Sequence, residues 1–367
     1  MNSRNLLILT GCTLAILLVT VISKQQREPR TELQRTLVFP ELTENVNNVT
    51  DIVIENNNGS LTISKQNEQW IVNEANNYPA NFDKIKSTIL QVRDLRIVSK
   101  KTNKPELYSE LGVEDPKSDD ATSHLLSLKD KSGKDIITTI VGKPRKSSSE
   151  TQGLYLRIAG SDQALLVQGS LDITMTVSNW IEQNLLNITD DRVKKTIIKF
   201  NDGSMITLNR ADKEADFSII DLPIDKEPES SYIINSLGTF LSNLTIENAL
   251  PRPSVTFTDD RTTTTIETFD GLVATIESEK IDEKNHVAFN FSINEKVLDQ
   301  LNTEETIAKD EQTTKPSVEQ EIAELNEKTA NWVYIVSDFE YNTLVKKRDD
   351  LMKDVKPDEE IEESSSI

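Results

Sequence analysis

Cysteine and histidine are almost missing from this chain of 367 residues, which has one of the first (Cys12) and two of the second (His124, His286). A single cysteine excludes an intrachain disulfide framework and a zinc cluster built on thiolates. Two histidines, without neighbours at ligand spacing, leave little for a metal site or a general base. Glycine is scarce at 11 residues, and neither G-x-x-x-x-G-K-[ST] nor G-x-G-x-x-G occurs. The G-x-S-x-G elbow and H-E-x-x-H are absent too. Positive charge is in deficit, with 41 Lys and Arg against 61 Asp and Glu, a net −20. A surface this acidic repels phosphate backbones and excludes nucleic acid as a partner. Hydrophobic residues reach only 36% and aromatics 5%. That is lean, but it still leaves about 130 residues for cores and argues against wholesale disorder.

One long apolar run is present. Leu6 to Ile22 (LLILTGCTLAILLVTVI) holds 17 residues without a charge. As a helix it spans ~26 Å, just short of a hydrocarbon core, and Arg4 and Lys24 can snorkel to close the mismatch. The run is too long for a signal-peptide core, and Val21-Ile22-Ser23 is a poor cleavage site. Leu9-Thr10-Gly11-Cys12 is lipobox-like, yet the apolar run continues past Cys12 instead of opening a polar linker; lipidation of Cys12 stays open. Residues 1–24 therefore read as a single-pass membrane anchor contacting the bilayer through residues 6–22. Lys24, Arg27, Arg30 and Arg35 follow the span, which by the positive-inside rule favours a cytoplasmic body. Long acidic domains translocate largely regardless of such counts, so the body is expected outside the cytoplasm.

Beyond a polar linker (25–45, with Pro29 and Pro40), the chain resembles itself. IVIENNNGSLTISK (52–65) and TIIKFNDGSMITLNR (196–210) are both alternating runs around an Asn/Asp-Gly-Ser turn, a hairpin signature. Each is followed by a third strand, at Trp70-Ile71-Val72 or Phe217-Ser218-Ile219-Ile220. A helix follows each. Phe82, Ile85, Ile89 and Val92 form one stripe behind Asn81 as N-cap; Ile233, Leu237, Phe240 and Leu244 form the other. The exits Asp94-Leu95-Arg96-Ile97 and Asn243-Leu244-Thr245-Ile246 are alike. Hairpins around Gly133 and Gly271, strands at 154–158 and 287–291, and last strands at 164–167 and 332–336 follow. Helices over 173–186 and 341–352 are expected to close the units.

The predicted architecture is α+β: an N-terminal transmembrane helix, then two tandem copies of an antiparallel-sheet-plus-helix unit over 46–190 and 191–352. The second copy carries a polar insertion over 294–331. There Ser317 and Gln320 suit a capping box, and Val318, Ile322 and Leu325 form an apolar stripe, read as a helix folded back on its own domain in preference to a partner-binding one. The tail over 353–367 is acidic and predicted disordered.

No residue is assigned a catalytic, cofactor-binding or metal-binding role. Asp119-Asp120, Asp190-Asp191 and Asp259-Asp260 read as solvated turns. Trp70, Trp180 and Trp332 read as core. Five Asn-x-Ser/Thr sequons (Asn48, Asn58, Asn187, Asn243, Asn290) are expected from composition alone. The Lys100, Lys101 and Lys104 cluster is a basic spot on an acidic protein, able to hold an anion or an acidic patch but read first as a solvated loop.

LVFPEL (37–42), WIV (70–72), YPANFDKIK (78–86), LRIVSKKTNKPELYSELGVEDP (95–116), IVGKPR (140–145), GLYLRI (153–158) and WIEQNLLNI (180–188) together resemble the bacterial domain of unknown function 4340 family. The resemblance implies one N-terminal membrane span, a periplasmic body at the inner membrane, and an ABC transporter permease or auxiliary subunit of the gliding-motility type as partner. It covers residues 37 to about 190 well and the second copy loosely. It assigns no catalytic residue. The function expected is thus a non-enzymatic, membrane-anchored binding or scaffold subunit accessory to an ABC-type transport system. A free-standing structural or adhesive envelope protein is the alternative, and an envelope hydrolase using paired carboxylates a third.

Overall fold

Ile52 and Ile54 on one strand and Leu61 and Ile63 on the next are all buried, as a two-residue period demands of a sheet with one covered face. Each such side chain contributes roughly 1.5–3 kcal/mol on leaving water. The computed structural model describes residues 36–145, 152–186, 188–238, 240–242, 244–297 and 317–355. The predicted span 6–22 with Cys12, linker residues 25–35, insertion residues 298–316, the tail from 356, and Asn187 and Asn243 lie outside the described residues. Among the described residues no helix is long and apolar enough to cross a membrane.

The class is α+β with two large antiparallel sheets. Contacts divide the chain between Thr176 and Val177, earlier than the predicted boundary after residue 190, and Ala75–Tyr78 group with the second unit. The first sheet uses β1 (Val49–Asn56), β2 (Gly59–Gln66), β3 (Gln69–Val72), β4 (Tyr78–Pro79), β5 (Arg96–Lys100), β6 (His124–Asp130), β7 (Asp135–Pro144), β8 (Gly153–Ile158) and β9 (Ala164–Gln168). Its order is β4-β3-β2-β1-β6-β7-β8-β9-β5. The second uses β10 (Val193–Lys199), β11 (Met205–Asn209), β12 (Ser218–Ile219), β14 (Asn248–Pro251), β15 (Thr262–Thr268), β16 (Leu272–Ile281), β17 (Lys284–Ile293) and β18 (Trp332–Val336). Its order is β12-β11-β10-β15-β16-β17-β18-β14, so each strand stands nine places on in chain order from one in the first sheet. A small pair joins β13 (Lys226–Pro228) to β19 (Met352–Asp354).

Local chemistry explains the turns. Between β2 and β3 the two loop residues Asn67 and Glu68 both have positive φ, as do Asp282 and Glu283 between β16 and β17. Two positive φ values give the turn whose twist matches the flanking strands. Helix α1 (Phe82–Arg93) starts where expected, with the Asn81 side chain accepting from Lys84 N at 2.9 Å. It buries Ile85, Ile89 and Val92 but leaves Phe82 60% exposed, one residue short of the predicted stripe.

Much of the resemblance motif in the first unit turns out to be packing. Gly142 of IVGKPR lies so close to the 108–113 segment that a Cβ there would sit 2.6 Å from Leu111 O and Val113 Cγ1. Arg157 of GLYLRI lies 4.6 Å over the Tyr108 ring and donates from Nε to Val113 O at 2.9 Å. Tyr108, Val113, Ile140 and Ala164 form a buried cluster beneath.

Several expectations are corrected. Residues 36–45 do not belong to a tether: Val38, Phe39 and Leu42 are buried, and Leu37 bridges to Arg96 on β5. No helix spans 173–186. Only Val177–Asn179 forms a short 3-10 turn, since Thr174 Oγ1 accepts from Thr176 N and competes with helical bonding. Trp180, Ile181, Leu185 and Leu186 are buried from a turn and irregular chain instead. In the second unit, helix α2 (Ser231–Gly238) buries Ile234 and Leu237 rather than Ile233. The strand after it is Asn248–Pro251. Helix α3 (Val318–Thr329) is capped by Ser317, whose side chain accepts from Gln320 N, and packs on β17 as a folded-back helix. The closing helix, α4 (Asp338–Leu344), starts earlier than 341 because Ser337 and Glu340 form a reciprocal capping box. Lys353 and Asp354, assigned to the tail, pair with β13.

Candidate binding grooves

Arg210 follows β11 and is only 7% exposed. Its Nε donates to Val193 O at 2.6 Å, Nη1 to Lys213 O at 3.0 Å, and Nη2 to Asp190 O. The guanidinium stacks 4.7 Å from the Phe217 ring centre and 5.7 Å from that of Phe269. Burial pulls its pKa below the ordinary value, against the raising pull of Asp190, Asp191 and Asp212. It thereby ties the start of β10 and the 3-10 turn at Asp190–Arg192 to the loop after β11.

Helix α2 completes one wall. Asn235 Oδ1 accepts from Phe217 N at 2.9 Å, and its Nδ2 donates to Asp216 Oδ1 at 2.7 Å. A Cβ on Gly238 would meet the Phe217 ring at 2.3 Å, so only glycine lets α2 lie this close. Helix α4 supplies the other wall. Buried Glu340 accepts from Thr245 N and Oγ1 through Oε1, and from Ser337 N and Oγ through Oε2. Between them lies a groove of about 500 Å³ lined also by Asp190, Glu214, Phe240 and Leu244. Two of its lining aromatics are turned outward: Tyr232 is 79% exposed and Phe339 80%.

The first unit holds a groove of about 400 Å³ lined by Val49, Lys65, Trp70, Phe82, Ile85 and Lys86, among others. Lys65 pairs with the exposed Glu68, and Lys86 is exposed.

Residues singled out from the sequence are scattered. His124 is half-buried at the start of β6, and burial lowers its pKa. His286 is buried on β17, with Nδ1 2.9 Å from Lys284 O. Among the described residues no group of His, Cys, Asp or Glu could hold a metal ion. Asp119, Asp120, Asp259 and Asp260 are exposed, and Asp260 accepts from Asn201. Only Asp190 of the carboxylate pairs lines the second-unit groove. Trp70 and Trp180 are buried and Trp332 half-buried. Lys100, Lys101 and Lys104 are exposed around a shallow depression with Leu107 and Glu110. Arg210, Tyr232 and Phe339 were not marked by any motif; two large aromatics outside the apolar stripes were the available signal.

The fold and these grooves define an antiparallel α+β protein of two sheets, each flanked by a groove-bearing helix. A family model described as Domain of unknown function (DUF4340) matches residues 70–265, more than half of the chain, and the chain belongs to this family. No curated protein and no solved structure matches it.

Proposed function

We propose that the chain is a non-enzymatic binding or scaffold subunit, anchored in the bacterial inner membrane by residues 6–22 with its body in the periplasm, and accessory to an ABC-type transport system. The observation that carries this reading is the second-unit groove, whose exposed Tyr232 and Phe339 offer apolar area to a partner. The body is two tandem copies of one unit; the shared strand order of the two sheets supports this. Polar groups at the groove, Arg210 and Glu340, are spent on internal hydrogen bonds, which suits a recognition surface more than a reacting one. The test is affinity capture of a C-terminally tagged chain from mildly solubilised membranes, with mass spectrometry of what accompanies it. Recovery of an ABC permease or auxiliary subunit is expected. Recovery of the chain alone, or with envelope polymer, would overturn the transport reading in favour of a free-standing envelope protein.

A further inference from the structure

The two grooves occupy corresponding places. Each is bordered by the third strand or the residues leading into it, Trp70 on β3 or Phe217 before β12, and by the helix that follows, α1 or α2. Each is lined by a cation from the end of the second strand's run (Lys65, Arg210) and an aromatic near the third strand (Trp70, Phe217). Each also has an exposed aromatic on the first turn of the helix (Phe82, Tyr232). They differ in charge. The first is lined by Lys65 and Lys86 and no carboxylate. The second is lined by Asp190, Glu214, Asp216 and Glu340 against Arg210 alone.

Not all of that charge is open to a ligand. Every Arg210 bond runs to a backbone carbonyl, and the Glu340 carboxylate is saturated by Thr245 and Ser337. Glu214 and Asp216 are exposed, and Asp216 uses one oxygen on Asn235. The groove thus joins two outward aromatic faces to two solvent-facing carboxylates. Aromatic faces and carboxylates both attract a cation, and the faces also bury an apolar stem.

We propose that the second-unit groove binds a basic, apolar-flanked peptide segment of a partner protein, with a Lys or Arg side chain over Tyr232 and Phe339 and its charge against Glu214 and Asp216. This rests on the binding-subunit reading and names the chemistry of the segment bound. The chain's own tail is a poor occupant, since Asp358, Glu359, Glu360, Glu362 and Glu363 carry the groove's sign of charge. A second copy, at net −20, is disfavoured by the same sign.

The test is titration calorimetry on the full chain in a non-ionic detergent, with acetyl-Arg-Leu-Lys-Leu-amide as probe and its Glu-for-Arg/Lys counterpart as control, each corrected for titration into empty micelles. Saturable binding of the basic probe is expected, at least tenfold tighter than the acidic one. The charge-neutral pair Tyr232→Ala/Phe339→Ala, at exposed positions that leave the core intact, is expected to weaken it at least tenfold. Glu214→Gln/Asp216→Asn is expected to do the same. No binding, equal binding of the acidic probe, or undiminished binding to Tyr232→Ala/Phe339→Ala would overturn the proposal. The last outcome would mean general attraction to an acidic surface. A negative titration beside successful capture of a permease would leave the subunit reading standing, and the reverse would leave the groove standing without it.

Discussion

His124 opens β6 opposite Val141 and is half-buried. Burial disfavours the imidazolium, so its folded pKa lies below the ordinary value near 6.5. The sign of the stability effect follows. Between the folded and unfolded pKa values the unfolded chain binds more protons, so stability falls as pH drops through 6.5 and below, and the contribution is complete above 6.5. The protection factors of the β6–β7 hairpin amides, with exchange rates corrected for their intrinsic pH dependence, are therefore expected to fall between pH 7.5 and pH 5 in the native chain. His124→Gln removes the titrating group and should flatten that dependence. An equally steep dependence in the variant would assign it to other groups. His286, fully within β17 and bonded to Lys284 O, illustrates the commoner fate of a lone strand histidine, a satisfied structural residue.

At the scale of elements, α3 depends on one guanidinium. Arg192 donates through Nη1 and Nη2 to both oxygens of Glu321, at 2.8 and 2.7 Å, and through Nε to Asp270 at 2.9 Å. The Glu321 hydrogen bond raises its pKa against the cost of burial, with Asp270 adding to the rise. Asn326 adds a second tie, exchanging two hydrogen bonds with the Phe291 backbone on β17. Glu321→Ala removes the bidentate pair, and a loss of about 1–2 kcal/mol is expected in chemical denaturation, discounted for partial exposure. Exchange protection should fall first in Val318–Thr329. Unchanged protection there would show that Asn326 and the half-buried apolar stripe hold α3 alone. This helix was legible in the sequence because its signals are local: Ser317 as cap and apolar spacing behind it. The hairpins were legible for the same reason, period two on both sides of a turn. The 173–186 segment differs from the helix expected because its buried residues, Trp180, Ile181, Leu185 and Leu186, mimic a helical stripe while packing from a turn and irregular chain. The grooves were not legible at all. Residues 190, 210, 217, 232 and 340 meet only through the sheet order, and no local pattern encodes that.

For the whole molecule, the excess of carboxylates sets a balance between distant repulsion and close attraction. Its ion pairs are mostly half-exposed, as in Lys226–Asp354, where the aspartate is 85% exposed, and Lys65–Glu68, where the glutamate is 89% exposed. Pairs of this kind contribute about 0–1 kcal/mol each. The net −20, by contrast, acts between charges many ångströms apart. Raising ionic strength from about 10 mM to about 150 mM shortens the screening length from ~30 Å to ~8 Å. That change removes most of the repulsion between distant carboxylates while leaving contacts near 3 Å less affected. Salt should therefore stabilise the chain over this range, with the melting midpoint rising by ~2–4 °C, equivalent to about 1 kcal/mol for units of this size. Thermal melts of the full chain in non-ionic detergent, in sodium chloride at the two strengths, read this directly. A midpoint that falls with salt would mean that pairs such as Arg192–Glu321 outweigh the net charge. Neutralising a peripheral carboxylate such as Glu283 by Glu283→Gln would then be expected to destabilise, by loss of its pairing with Lys280, where the repulsion-dominated balance expects it to be neutral or slightly stabilising.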